Sequence, residues 1–273
     1  MILAAVDEGE CPQLVVVNFQ QEGSEPHHFY ELQNAVVFGY PEFHAKCLGI
    51  DIRVDPWRPN PKLQAPFHRD TSHVLFAVTL WINMGNDSMQ CLIQFLPSDS
   101  LTSLIKNETP PFQYYGWESW GLHGSRLVFP SRKRFHFRNS FVHGWKYATL
   151  EDDDASQDGV VARLYDFNQV TIKRNYRDTE DKGTCADADR WVYNRAGTSI
   201  VPGVFKYPVE TTLPYRSQEL SLKDVHDQCL VHCTEDHIII VDVSFPKKKA
   251  SECLQNADIP AQCDSNEYRF LIF

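Results

Sequence analysis

No stretch of this chain approaches the roughly 18 consecutive apolar residues that a membrane-crossing helix needs, so the membrane is not an expected partner. The N-terminus, MILAAVDEGE, has no basic start, and its apolar stretch ends at Asp7. A cleavable secretion signal would want a charged start and a longer apolar middle. The expected setting is therefore the cytoplasm or nucleus, not the secretory route. Positive charge is also short: 26 Lys and Arg stand against 36 Asp and Glu, a formal net charge of -10. A surface of that sign repels phosphate backbones, so nucleic acid is not an expected partner. Helical periodicity is scarce. No period of 20 to 50 residues marks a repeat array, and no nucleophile elbow, phosphate-binding loop or dinucleotide fingerprint occurs.

Cysteine is present without a framework. Cys11, Cys47, Cys91, Cys185, Cys229, Cys233, Cys253 and Cys263 give no repeated CxxC spacing. Without a secretion signal they read as reduced thiols. The glycosylation patterns at Asn86-Asp87-Ser88 and Asn107-Glu108-Thr109 read as chance for the same reason.

What fills the chain is short β-branched and aromatic runs between turn residues. Aromatics make up 12% of it, alongside 16 Pro and 13 Gly, a composition suited to many short strands. Strands are expected at Leu14–Val17, Ala35–Phe38, Leu48–Val54, Val74–Ile82, Cys91–Leu96, Arg126–Phe129, Phe141–Tyr147 and Val160–Asp166. Further ones are expected at Arg190–Tyr193, Val209–Leu213, Cys229–Cys233 and His237–Val243. Ile50, Ile52 and Val54 alternate as a half-buried strand does, whereas Val74–Ile82 is apolar on both faces and should be covered on both. Gly85, Asn86 and Asp87 supply the turn that returns the chain to Cys91. One short helix is expected after Pro97-Ser98-Asp99-Ser100, where capping residues precede Leu101, Leu104 and Ile105 at helical spacing. The fold class is all-β, as a sandwich, barrel or propeller. From Ser244 to Phe273 the alternation stops and polar residues dominate until Phe270, so 1–243 is expected as the folded region and 244–273 as a loose tail.

Four constellations invite chemistry. His68, Asp70 and the distant His143 could supply the facial triad of a non-haem Fe(II) oxygenase. Such an enzyme also needs a cation for its co-substrate carboxylate, and Lys146 and Arg163 are not at the expected place. The plainer reading is a polar turn. His68-Arg69-Asp70 also spells the opening of a kinase catalytic loop, but the other kinase motifs are missing. His226, Cys229, His232 and Cys233 form a small cluster, yet in a strand both cysteines face one way and His232 the other, which opposes tetrahedral zinc. Arg132–Arg138 interleaves cations with aromatics, and a charged strand edge explains it better than a nucleic-acid groove. The acidic run Glu151–Asp154 reads as a solvated loop. No catalytic, cofactor-binding or metal-binding residue is assigned.

Several segments carry a resemblance when taken in order: Asp51-Ile52-Arg53-Val54-Asp55-Pro56-Trp57, Val78-Thr79-Leu80-Trp81-Ile82, and Phe95-Leu96-Pro97-Ser98. The most distinctive stretch is Trp117-Glu118-Ser119-Trp120-Gly121-Leu122-His123-Gly124-Ser125-Arg126, followed by Leu164-Tyr165-Asp166-Phe167-Asn168 and Leu213-Pro214-Tyr215-Arg216. Together these resemble the β-rich region of a large family of fungal F-box-type proteins, over roughly residues 12–243. The resemblance implies an incomplete propeller-like fold that chooses a protein target for a cullin-type ubiquitin ligase, without catalysis and without a cofactor. The F-box that docks on the ligase adaptor lies outside the resembling region, so an adaptor contact is expected only where an F-box precedes it. A truncated fragment without independent function is the remaining alternative.

Overall fold

The computed structural model describes residues 2–8, 11–17, 35–55, 74–85, 89–105, 112–130, 135–152, 160–174, 191–194, 199–201, 203–222, 229–234, 237–244 and 267–272. About 62% is strand, mostly in antiparallel sheets, with few helices. The chain is all-β in that sense.

The first sheet has β1 (Ile2–Glu8), β2 (Cys11–Val17), β3 (Ala35–Gly39) and β7 (Phe112–Tyr115) side by side, β7 running parallel to β3. The second is a meander of β4 (Lys46–Arg53), β5 (Leu75–Asn83) and β6 (Met89–Pro97), closed by β8 (Arg126–Val128). The third holds β9 (Phe135–His143), β10 (Lys146–Asp152), β11 (Val160–Asp166), β15 (Tyr215–Leu222) and β12 (Val192–Asn194), in that spatial order. The fourth joins β16 (Leu230–Cys233), β17 (Ile238–Ser244) and β18 (Glu267–Ile272). A ribbon of β13 (Ser199–Val201) and β14 (Val209–Thr211) completes the strands.

Side chains alternate across a strand, and this alternation sorts the core into three layers. Phe76, Val78, Leu80 and Ile82 of β5 meet Leu14, Val16, Val36 and Phe38 of the first sheet. The intervening Leu75 and Ala77, with Ile93 and Phe95 of β6, meet Val142, Tyr147 and Tyr165 of the third sheet. On that sheet's other face Ala148, Leu150, Ala162 and Leu164 meet Val231, Ile238 and Ile240 of the fourth. The four sheets therefore stack face to face in chain order, and the two inner ones are covered on both sides. No core layer joins the first sheet to the fourth among the described residues.

The expected helix is present as α1 (Ser98–Thr102). The expectation of one helix is corrected by α2 (Trp117–Gly124), and residues 169–174 form a further helical turn. Trp117, Trp120 and Gly121 are the buried residues of α2, at the i, i+3, i+4 spacing of a helix face. Trp117 stacks on Tyr40 at 5.9 Å between ring centroids, and Trp120 Nε1 donates to the Gly39 carbonyl at 3.1 Å. A Cβ at position 121 would collide with the Trp117 ring, so this position requires glycine. Below it runs a fully partnered polar chain: Tyr40 donates to Gln94 Oε1 at 2.5 Å, Gln94 Nε2 to Ser125 Oγ at 3.0 Å, and Ser125 to the Gly121 carbonyl at 2.7 Å.

Two other expectations change. Phe141–Tyr147 is two strands, because Gly144 at φ 57° opens a two-residue turn and His143 pairs back onto Lys146. Glu151 lies on β10, buried, and not in a solvated loop. Of the segment 244–273, Ser244 ends β17 and Glu267–Ile272 pairs antiparallel with β17, and the rest lies outside the described residues. Among the described residues no helix is long and apolar enough to cross a membrane.

Candidate functional site

Two regions combine chemistry with position. The first is the layer between the second and third sheets, where charge is buried. Glu151 Oε2 accepts from Arg163 Nη1 at 3.0 Å, and Arg163 Nη2 reaches Glu219 Oε1 at 2.8 Å. The Glu151 side chain is 1% exposed and that of Glu219 58%, so the pair runs from the interior to the surface. Arg126, also buried, donates to the Thr211 carbonyl at 3.3 Å and lies 4.9 Å from the Tyr215 ring centroid. Phe95 packs between Tyr147, Tyr165 and Phe167, at centroid distances of 5.0, 5.3 and 4.6 Å. Burial pushes the Cys91 thiol and the Tyr147 and Tyr165 phenols above their ordinary ranges, and the Glu151 carboxylate adds to each shift. Raised values keep these groups protonated, so they serve as neutral packing and not as nucleophiles at neutral pH. The Arg163 guanidinium, disfavoured by burial, is held charged by the Glu151 and Glu219 carboxylates.

The edge of this layer is stapled from β4. Arg53 Nη1 donates to the Ser140 carbonyl at 2.5 Å, and the Asp55 carboxylate accepts from the Gly144 amide at 2.8 Å. His143 stands at the same staple, its Nδ1 3.7 Å from Asp55 Oδ2. Of the oxygenase candidates, His143 is thus placed against Asp55, and His68 and Asp70 lie outside the described residues. No group of three His, Cys, Asp or Glu poised for a metal occurs among the described residues.

The second region is the end of the second sheet where β5 turns into β6. The loop 203–207 is pinned there by His44 and Ala45 amides donating to the Val204 carbonyl at 2.8 and 3.3 Å, and by the Lys206 amide donating to the Glu42 carbonyl at 2.9 Å. Phe43 and Phe205 bridge and pack at 4.7 Å, and Lys206 ion-pairs with Glu42. Gly203, at φ 79°, lets the loop double back here. Beside this buried anchor three large apolar side chains face solvent: Tyr207 at 75% exposure, Met89 at 60% and Leu48 at 48%. Leu48 is the bulged residue of β4, and Met89 pairs with Asn83, which in turn pairs with Lys46, so both stand at this end of the sheet.

Comparison with protein-family models, curated proteins and solved structures gives no match.

Cys233 on β16 and Cys229 just before it are each 1% exposed, and the more exposed His232 packs against Phe141 at 3.8 Å between rings. His226 lies outside the described residues. Cys229 and Cys233 fill the layer between the third and fourth sheets, and Cys47 and Cys91 fill the other two. Four thiols buried in three layers should resist an alkylating reagent in the folded chain and react on unfolding. Pulse alkylation followed by peptide mass spectrometry checks this, and rapid native labelling of Cys91 would contradict the packing. Of Arg132–Arg138, residues 135–138 belong to β9, an edge strand of the third sheet, and 132–134 lie outside the described residues. Tyr207 and Met89 were not legible as surface anchors, because exposure of an isolated apolar residue leaves no mark in the sequence.

Proposed function

We propose that this chain is a protein-recognition module whose four stacked sheets act as blades of an incomplete propeller-like scaffold, and whose contact surface centres on Tyr207, Met89 and Leu48. The observation that carries the reading is the pinned loop 203–207. An aromatic side chain at 75% exposure stands on backbone held by three hydrogen bonds and a buried Phe43–Phe205 pair. An anchor fixed before contact loses little conformational freedom on binding, which is how interface hot spots gain affinity. Stacking in chain order supports the propeller-like part, since each sheet is a mainly antiparallel unit packed on the next. The resemblance to F-box-type proteins makes the target a protein chosen for a cullin-type ligase, with the adaptor engaged only through an F-box outside residues 12–243.

The test uses the full chain as bait in cell extract, alongside Tyr207→Ser and Met89→Ser. Both positions are exposed, so melting should be unchanged, while specific partners should fall by roughly tenfold in quantitative mass spectrometry. An unchanged partner set in the double variant would overturn the assignment of this surface.

A further inference from the structure

The register of the two inner sheets aligns polar residues into one row across their shared layer. On the third sheet Ser140 pairs with Thr149, Thr149 with Arg163, and Arg163 with Glu219, so four strands contribute one polar side chain each at the same level. On the second sheet Asp51 pairs with Thr79. The rows on either side fix how the sheets are superposed. Phe95, level with Ala77, packs on Tyr147 and Tyr165. Cys91, level with Trp81, feels the charge of Glu151. The Thr79 row between them therefore lies over Thr149 and Arg163.

Thr79 and Thr149 are 1% and 0% exposed, and neither hydroxyl has a hydrogen-bond partner in the protein; nor does Arg163 Nε. Three such atoms on rows that the register superposes contrast with the layer between the first and second sheets, where Tyr40, Gln94 and Ser125 are bonded head to tail. A buried hydroxyl with no partner is destabilising, and native proteins meet such groups with ordered water where two to four polar partners converge. The ligand called for is small and neutral. Within the layer Arg163 is matched one to one by the buried Glu151, Glu219 standing at the surface, so an added ion would bring in a buried charge without a counter-charge. The row ends at solvent on both sides, at Glu219 and at Asp51, whose side chain is 45% exposed, which gives a route for exchange.

We infer that this row is an internal hydration site: ordered water held between the two central sheets by Thr79, Thr149 and Arg163. The inference is independent of the recognition surface at Tyr207. It makes the central interface a wet one, joined by replaceable hydrogen bonds, whereas the buried polar chain between the first and second sheets is satisfied by protein groups alone.

The test is isosteric replacement. Thr79→Val and Thr149→Val keep the shape and remove only the hydroxyl. Where water is bound, each should lower the folding equilibrium constant by roughly five- to tenfold, and the double variant should lose less than the product of the two, because they hold shared water. An increase in stability from either substitution would overturn the site, since that is what removing an unsatisfied hydroxyl from a dry layer does. Magnetisation transfer from long-lived water to the Thr79 and Thr149 methyl groups should be seen in the parent protein. Its absence from both would also overturn the site, whatever the valine variants do to folding.

Discussion

Raising the pH from 9 towards 12 is expected to unfold this protein over a narrow range while tyrosinate absorbance rises in step. Tyr40, Tyr147, Tyr165 and Cys91 are all raised, in each case first by burial. The ordinary values are 10.0 for the phenols and 9.0 for the thiol, and the unfolded chain is taken to titrate there. Above those values the unfolded chain releases protons that the folded chain retains, so stability is fully present below about pH 9 and falls as the pH climbs. Each group can contribute up to about 1.4 kcal/mol per pH unit, and four together roughly 5 kcal/mol per unit once all are ionised in the unfolded chain. Typical domain stabilities of about 5–15 kcal/mol would be consumed within one to three units. Circular dichroism and phenol absorbance recorded together decide the matter. Smooth ionisation of the buried phenols in a chain that stays folded would show that Tyr147 and Tyr165 are not enclosed between the sheets.

The same layer shows what could be read from the residues and what could not. β5 and β11 were legible because apolar residues fill both faces of each, interrupted within the runs only by Thr79 and Arg163, as in strands covered on both sides. β15 was not, since Tyr-Arg-Ser-Gln-Glu-Leu-Ser-Leu looks like a surface segment. It is nonetheless flanked by β11 and β12, because Arg216 and Glu219 are matched by Asp166 and Arg163 across the register. α2 was assigned to no element, because Trp-Glu-Ser-Trp-Gly-Leu-His-Gly holds two glycines, and the three-residue spacing of its tryptophans is a short mark of a helix face. The anchor at Tyr207 depends on Phe43 and Phe205, more than 160 positions apart in the chain and brought together only by the finished fold. The burial of Cys229 and Cys233 away from His232 was legible because strand alternation alone divides them. Glu151 was misread because its neighbours are acidic, while its partner Arg163 lies on the next strand.

That misreading leads to the larger mutational expectation. Glu151→Gln should destabilise the chain by about 2–3 kcal/mol, at the lower edge of the loss expected when one partner of a buried ion pair is removed. The discount reflects Arg163, whose side chain is 23% exposed and keeps Glu219. Glutamine preserves size and one acceptor oxygen, so a loss of that magnitude reports the charge and not a cavity. Removing both charges should cost less than removing one: Glu151→Leu with Arg163→Met leaves no unmatched ion in the layer and should recover most of the stability. Urea unfolding of the two single variants and the double variant closes the cycle. Losses that simply add would mean that Glu151 and Arg163 do not depend on each other, and an effect of Glu151→Gln below about 0.5 kcal/mol would place the carboxylate in solvent. If the coupling is found, charge matched across neighbouring strands keeps the third sheet in register at a level where Thr149 and Ser140 offer little apolar surface to do so.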